Sequence, residues 1–166
     1  MREATPRPVD DALRALVRDQ LVRASLPLAG LMAFFAVADR FTNPSPAEWS
    51  VTAFDAAAAV LLVGAWAALR VDGPFSRSPN AVAAVVASFL AADALHDAWL
   101  LGQPVQATYL MLVAIGVGAL VLSRAALLLV VFLSFAGYVA VSRPGADWTL
   151  VGLALFAACV LSVLIH

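Results

Sequence analysis

The feature that most constrains this chain is the spacing of its apolar runs. Stretches of about 20 apolar residues, the length an α-helix needs to cross a hydrocarbon core of roughly 30 Å, recur along the sequence. Each gap between them holds an arginine, a proline or a glycine. A backbone in lipid must satisfy its hydrogen bonds within its own segment, so runs of this length fold as helices. With 63% hydrophobic residues and a mean hydropathy of +0.94, the chain reads as all-α, an integral membrane bundle.

Six transmembrane helices are predicted, over residues 24–41, 49–69, 81–101, 105–122, 125–141 and 148–165. The connections are short and rich in helix breakers: Asn43-Pro44-Ser45-Pro46, Asp72-Gly73-Pro74, Gly102-Gln103-Pro104, Ser123-Arg124 and Arg143-Pro144-Gly145. Loops this short imply antiparallel neighbours, with tight hairpins between spans 3 and 4 and between spans 4 and 5. Residues 1–23 divide off as an N-terminal segment and residues 24–166 as the transmembrane domain. Within the segment, residues 8–23 predict a short amphipathic helix. Pro8 suits a first turn, Asp10 and Asp11 suit its positive end, and Val9, Leu13, Leu16, Val17 and Leu21 share a face. That helix is either a docking element for a partner or head groups, or an extension leading into span 1. The charges of both signs before the first run, and the length of that run, predict an uncleaved helix rather than a signal peptide.

Orientation follows from the cations. The chain has no lysine, so all ten cationic side chains are arginines. Alternating the loops places Arg2, Arg7, Arg14, Arg18, Arg23, Arg70, Arg77 and Arg124 on one side, which is eight of the ten, and Arg40 and Arg143 on the other. The positive-inside rule makes the first side, with both termini, cytoplasmic. Trp49, Trp99 and Trp148 then fall at outer ends, where amphipathic rings favour the interface. Arg40 is expected to reach head groups or Glu48, and Arg143 to pair with Asp147.

Ionisable groups inside spans cost roughly 2.5–3.5 kcal/mol each at a helix centre, which makes them candidate functional residues. Asp39, Asp55, Asp93, His96 and Asp97 all map to the outer half of the bilayer. The i, i+3, i+4 spacing of Asp93, His96 and Asp97 puts them on one stripe of span 3. The functional reading is an outward-facing pocket for a cation, a proton or a small polar ligand. The competing reading is hydrogen bonding between helices, or snorkelling to the interface. No metal signature is present, and no metal site or cofactor is assigned, although one histidine with carboxylates suits a hard cation. Gly116, Gly118, Ser134 and Gly137 are expected to line close helix contacts. Cys159 and Ser162 read as packing.

Several chemistries are excluded. Without lysine there is no retinal Schiff base, no pyridoxal phosphate site and no Walker lysine. Cys-x-x-Cys, His-Glu-x-x-His and Gly-x-Ser-x-Gly are absent, and the two histidines, His96 and His166, fall on opposite faces and cannot clamp one haem. No catalytic activity is expected. Nothing basic beyond the N-terminal segment suits a nucleic acid.

The stretch from Gly102-Gln103-Pro104-Val105-Gln106 through Thr108-Tyr109-Leu110, then Gly116-Val117-Gly118-Ala119 and Leu122-Ser123-Arg124, and the ending Leu153 to His166, carry a resemblance. Over roughly residues 80–166 the chain is similar to the six-helix N-terminal membrane regions of bacterial signalling proteins, which precede a GGDEF diguanylate cyclase or sensor histidine kinase domain. Ala107-Thr108 replaces the polar pair frequent in that family, so no ligand role is carried over to that turn. The resemblance implies a membrane sensory or anchoring module, a homodimer, and a signal passed through span 6 to a cytoplasmic effector. Because no arginine follows span 6, either an output domain is expected beyond His166 or the chain is a free-standing relative. Two other functions fit the residues: an accessory subunit of a larger membrane complex, and a small transporter.

Overall fold

The computed structural model describes residues 8–42, 46–102, 108–120 and 124–165. Among them are seven helices and no strand: α1 (Pro8–Thr42), α2 (Pro46–Arg70), α3 (Pro74–Arg77), α4 (Pro79–Leu101), α5 (Thr108–Leu120), α6 (Arg124–Val141) and α7 (Ala146–Ile165). The first four each begin on a proline, whose fixed φ suits the first turn and whose missing N–H would have no partner there. Gly102 ends α4 in the left-handed region at φ 64°, its N–H donating to the Ala98 carbonyl at 3.1 Å.

Four segments are long and apolar enough to cross a membrane: Asp11–Ala38, Trp49–Arg70, Pro79–Leu101 and Asp147–Leu164. Leu127–Val141 is a shorter apolar helix. Large apolar side chains face outward on these elements, among them Phe34, Val60, Leu112, Phe132 and Leu164. A surface this apolar over its whole girth is at home in lipid rather than water.

The N-terminal segment differs from expectation. No separate amphipathic helix precedes span 1: α1 is one helix of 35 residues, running unbroken through residues 23 and 24. At 1.5 Å per residue it is roughly 52 Å long, well beyond a hydrocarbon core. Its buried stripe is Val17, Leu21, Ser25 and Ala29, spaced by four, while the predicted face members Leu13 and Leu16 are exposed. The stripe packs along α2, and Val17 and Leu21 join Leu69, Ala83, Leu127 and Val130 in one core. Tertiary packing therefore extends the first span toward the N-terminus.

Helix pairing also departs from the hairpin expectation. α4 does touch α5, and α5 touches α6, but the more extensive contacts of these helices join α4 to α6 and α5 to α7. A short loop limits how far apart two helices lie without dictating which faces match best. α4 is the hub, meeting α1, α2, α5 and α6. Its inner face is almost all alanine: Ala83, Ala87, Ala91, Ala94 and Ala98 are buried. Small side chains let backbones approach, and dispersion contact then holds the helices together.

Of the small residues singled out, Gly137 lies where a Cβ would meet the Leu95 side chain, so it does mark a close α4–α6 approach. Ser134 is fully buried. Gly116 faces open space, with nothing within 4 Å of a Cβ built on it, and is no contact residue. Gly118 falls outside the described side chains. Gly152, which the sequence did not flag, packs against the Tyr138 ring. Trp49 and Trp99 are exposed as an interfacial ring requires, whereas Trp148 is buried against Tyr138, whose hydroxyl donates to the Trp148 carbonyl. Arg143 reaches back to the Trp99 carbonyl at 3.4 Å rather than to Asp147. The side chains of Arg40 and Glu48 lie outside the described ones.

Candidate functional site

The polar layer is built by two antiparallel helices, α2 and α4, whose opposite ends meet at the pole carrying Trp49 and Trp99. Asp55 sits in the third turn of α2, and Asp93 and Asp97 lie one turn apart on α4, so all three face the contact between these helices. One carboxylate oxygen from each of Asp55, Asp93 and Asp97 lies within 4.8 Å of the other two. Their relative exposures are 4%, 5% and 9%, so this is a buried group and not a solvated acidic patch.

Asp93 Oδ1 has no hydrogen-bond partner although it is buried. The Thr52 hydroxyl, one turn before Asp55 on α2, is likewise buried without a partner. Buried polar atoms are normally satisfied, and two oxygens of this kind beside further carboxylates offer ligand positions to a cation. Asp55 and Asp93 face one another across the α2–α4 contact, with Asp97 completing the group.

His96 lies beside Asp97 on α4 and faces α2 with it. Its ring lies against α2, stacked on Phe54 with centroids 4.3 Å apart and planes 16° from parallel. Phe54 stacks in turn on Phe89, at 6.0 Å. The imidazole edges are both engaged: Nε2 is 2.9 Å from Ser50 Oγ and Nδ1 is 3.3 Å from Asp97 Oδ1. With the proton on Nδ1, the ring donates to Asp97 and accepts from Ser50. His96 thus positions Asp97 and ties it to the start of α2, and is not a member of the acidic triad. Asp97 is buried by this arrangement. The Asp39 side chain lies outside the described ones.

The triad suits a hard cation. Oxygen ligands sit 2.3–2.6 Å from calcium, so an ion between opposite ligands spans about 4.6–5.2 Å. Magnesium, at 2.0–2.1 Å, requires opposite oxygens roughly 4.0–4.2 Å apart and a stricter octahedron. Three carboxylate oxygens within 4.8 Å of one another fit the coordination shell of either ion, and calcium is the more tolerant of their geometry. A proton is the other occupant this chemistry accepts. No metal site was read from the sequence because its ligands come from two helices, 38 residues apart at the closest (Asp55 to Asp93), a distance no local spacing rule covers.

Cys159 and Ser162 are structural, as expected. Cys159 is buried in the α4–α5–α7 core. The Ser162 hydroxyl donates to the Ala114 carbonyl at 2.6 Å, fastening α7 to α5.

The fold and site together define an all-helical protein with membrane-length apolar helices and a buried acidic triad between two of them. Comparison with family models, curated proteins and solved structures finds no match to the chain.

Proposed function

We propose that this chain is a cation-sensing module of the bacterial cytoplasmic membrane, with six spans and both termini cytoplasmic. A cation at Asp55, Asp93 and Asp97 would be its stimulus, and α7 its output to a cytoplasmic effector. The observation that carries the reading is the buried three-carboxylate group, with the partnerless Asp93 Oδ1 inside it. The eight arginines on one side support the orientation, and the resemblance over roughly residues 80–166 supports the sensory role.

The physical route is short. The triad straddles α2 and α4, so an ion there favours the packing in which these two helices approach. α4 packs on α5, and α5 on α7, with Ser162 bonded across. A ligand shifts such an equilibrium only by its differential affinity for the two packings, and a hundredfold preference supplies about 2.7 kcal/mol.

The test uses the full chain in nanodiscs, titrated with Ca²⁺, Mn²⁺, Mg²⁺ and Na⁺ while spin labels report the α2–α4 and α5–α7 distances. Binding that is lost in Asp93→Asn and moves both distances supports the reading. Binding without any change at α7 removes the sensory part and leaves a static ion site. If alanine at Asp55, Asp93 and His96 left the output of a fused effector unchanged under every stimulus, cation sensing would be wrong.

A further inference from the structure

At the opposite pole from the triad, α1, the end of α2 and α3 enclose a cleft of about 560 Å³. Four guanidiniums line it: Arg14, Arg18, Arg70 and Arg77. Two carboxylates line it as well, Asp11 and Asp19. Asp19 is engaged outside the set, at 2.9 Å from Arg23, and Asp11 stands 3.8 Å from Arg14, beyond the 2.7–2.9 Å of a charge-assisted hydrogen bond. Arg70 and Arg77 enter no ion pair among the described residues.

The cleft is held open by packing, not by chance surface rotamers alone. Arg18 Nε donates to the Leu69 carbonyl at 2.7 Å, which fixes that guanidinium between α1 and α2. Leu69 itself is fully buried. Arg70 lies over the Trp66 ring, with Cζ 4.5 Å from its centroid. Such stacking limits the freedom of the side chain and leaves the edge of its fork available.

We propose that this cleft binds the phosphate monoester group of an anionic ligand. With the ion-pair partners counted, Asp72 at 3.8 Å from Arg18 and Arg23 on Asp19, five arginines stand against three carboxylates, an excess of two positive charges that matches the charge of −1.5 to −2 on a phosphomonoester near neutral pH. Planar guanidiniums bind phosphate oxygens in pairs, a geometry that an ammonium lacks. The volume falls in the range of small-ligand sites. The cleft opens where the apolar length of α2 ends at Arg70, within reach of head groups when α2 crosses a bilayer. The shared chemistry therefore has two sources: the head group of phosphatidic acid, or a soluble phosphomonoester. This site is independent of the acidic triad.

The test is a binding titration on the purified full chain in detergent, reading Trp66 emission and thermal midpoint. The probes are dioctanoyl phosphatidic acid, dioctanoyl phosphatidylglycerol, dioctanoyl phosphatidylcholine and inorganic phosphate. Arg70→Gln combined with Arg77→Gln is expected to weaken phosphatidic acid binding by at least about tenfold, as loss of charge-assisted hydrogen bonds implies. Arg77→Lys keeps the charge and is expected to lose only part of the affinity. Arg124→Gln, an exposed arginine outside the cleft, should leave binding unchanged. Tight phosphatidic acid binding with weak phosphate binding names the lipid as the source, and competition by phosphate names a soluble ligand; both support the site. Equal binding of all three lipids, or a loss in Arg124→Gln equal to that of the double variant, would overturn it.

Discussion

Replacing Asp93 by asparagine keeps the shape of the side chain and removes its charge, and the structure assigns opposite signs to the effect with and without an ion. Two carboxylates held within 4.8 Å of one another repel by at least about 3.5 kcal/mol at an effective dielectric of roughly 20. Removing one of the charges relieves part of that repulsion, so Asp93→Asn should stabilise the ion-free protein by about 1–3 kcal/mol. In wild type, an ion at a hundred times its dissociation constant adds about 2.7 kcal/mol. The variant, lacking one of three charged ligands, should gain little. At about 2–4 °C per kcal/mol for a chain of this size, the order of the two melting points should reverse between chelator and saturating cation. Cys159, the one cysteine and buried, supplies the assay, because a thiol-reactive fluorogenic dye reports its exposure on unfolding. A variant that melts in parallel with wild type under both conditions would refute the electrostatic argument. So would a wild type indifferent to every cation tested.

Other outcomes follow from contacts elsewhere in the bundle. Gly137→Val should destabilise by about 1–3 kcal/mol because its side chain would displace Leu95, whereas Gly116→Ala, facing open space, should be neutral by the same melting assay. Ser162→Ala should cost about 0.6–1.7 kcal/mol by removing the α7–α5 hydrogen bond, and should raise hydrogen exchange in α7 before it changes the melting point elsewhere. Gly102→Ala should cost about 1 kcal/mol or more, since φ is 64° and a Cβ there would lie 2.8 Å from the Arg143 guanidinium, visible as a lowered denaturation midpoint. In a Cys159→Ala background, Asp72→Cys should react with a membrane-impermeant thiol reagent only in inside-out vesicles and Gly145→Cys only in right-side-out cells. The reverse pattern would invert the orientation drawn from the arginines.

The length and spacing of the apolar runs determined the class of this fold before any coordinates. Lipid offers no hydrogen bonds to an open backbone, so apolar segments of that length become helices, and prolines at 46, 74 and 79 mark where three of them start. The five ionisable residues picked as functional came from the same argument, because burying charge in a span is costly wherever it occurs. Their grouping was only half legible. The i, i+4 relation of Asp93 and Asp97 is a property of one helix. The arrival of Asp55, and the contacts of His96 with Phe54 and Ser50, depend on which face of α2 meets α4.

That choice of faces belongs to tertiary structure. It is made by close packing of small side chains, whose contacts are individually weak, leave no period in the sequence, and select α4–α6 and α5–α7 over the pairs that the short loops suggested. The same packing drew Val17 and Leu21 into the core and fused the N-terminal segment to the first span. It also gathered Arg14, Arg18, Arg70 and Arg77, which the sequence offered only as markers of orientation, around a single cleft. The sequence by itself determined that these helices are apolar and where they end. Contact between helix faces far apart in the chain decided which polar groups meet.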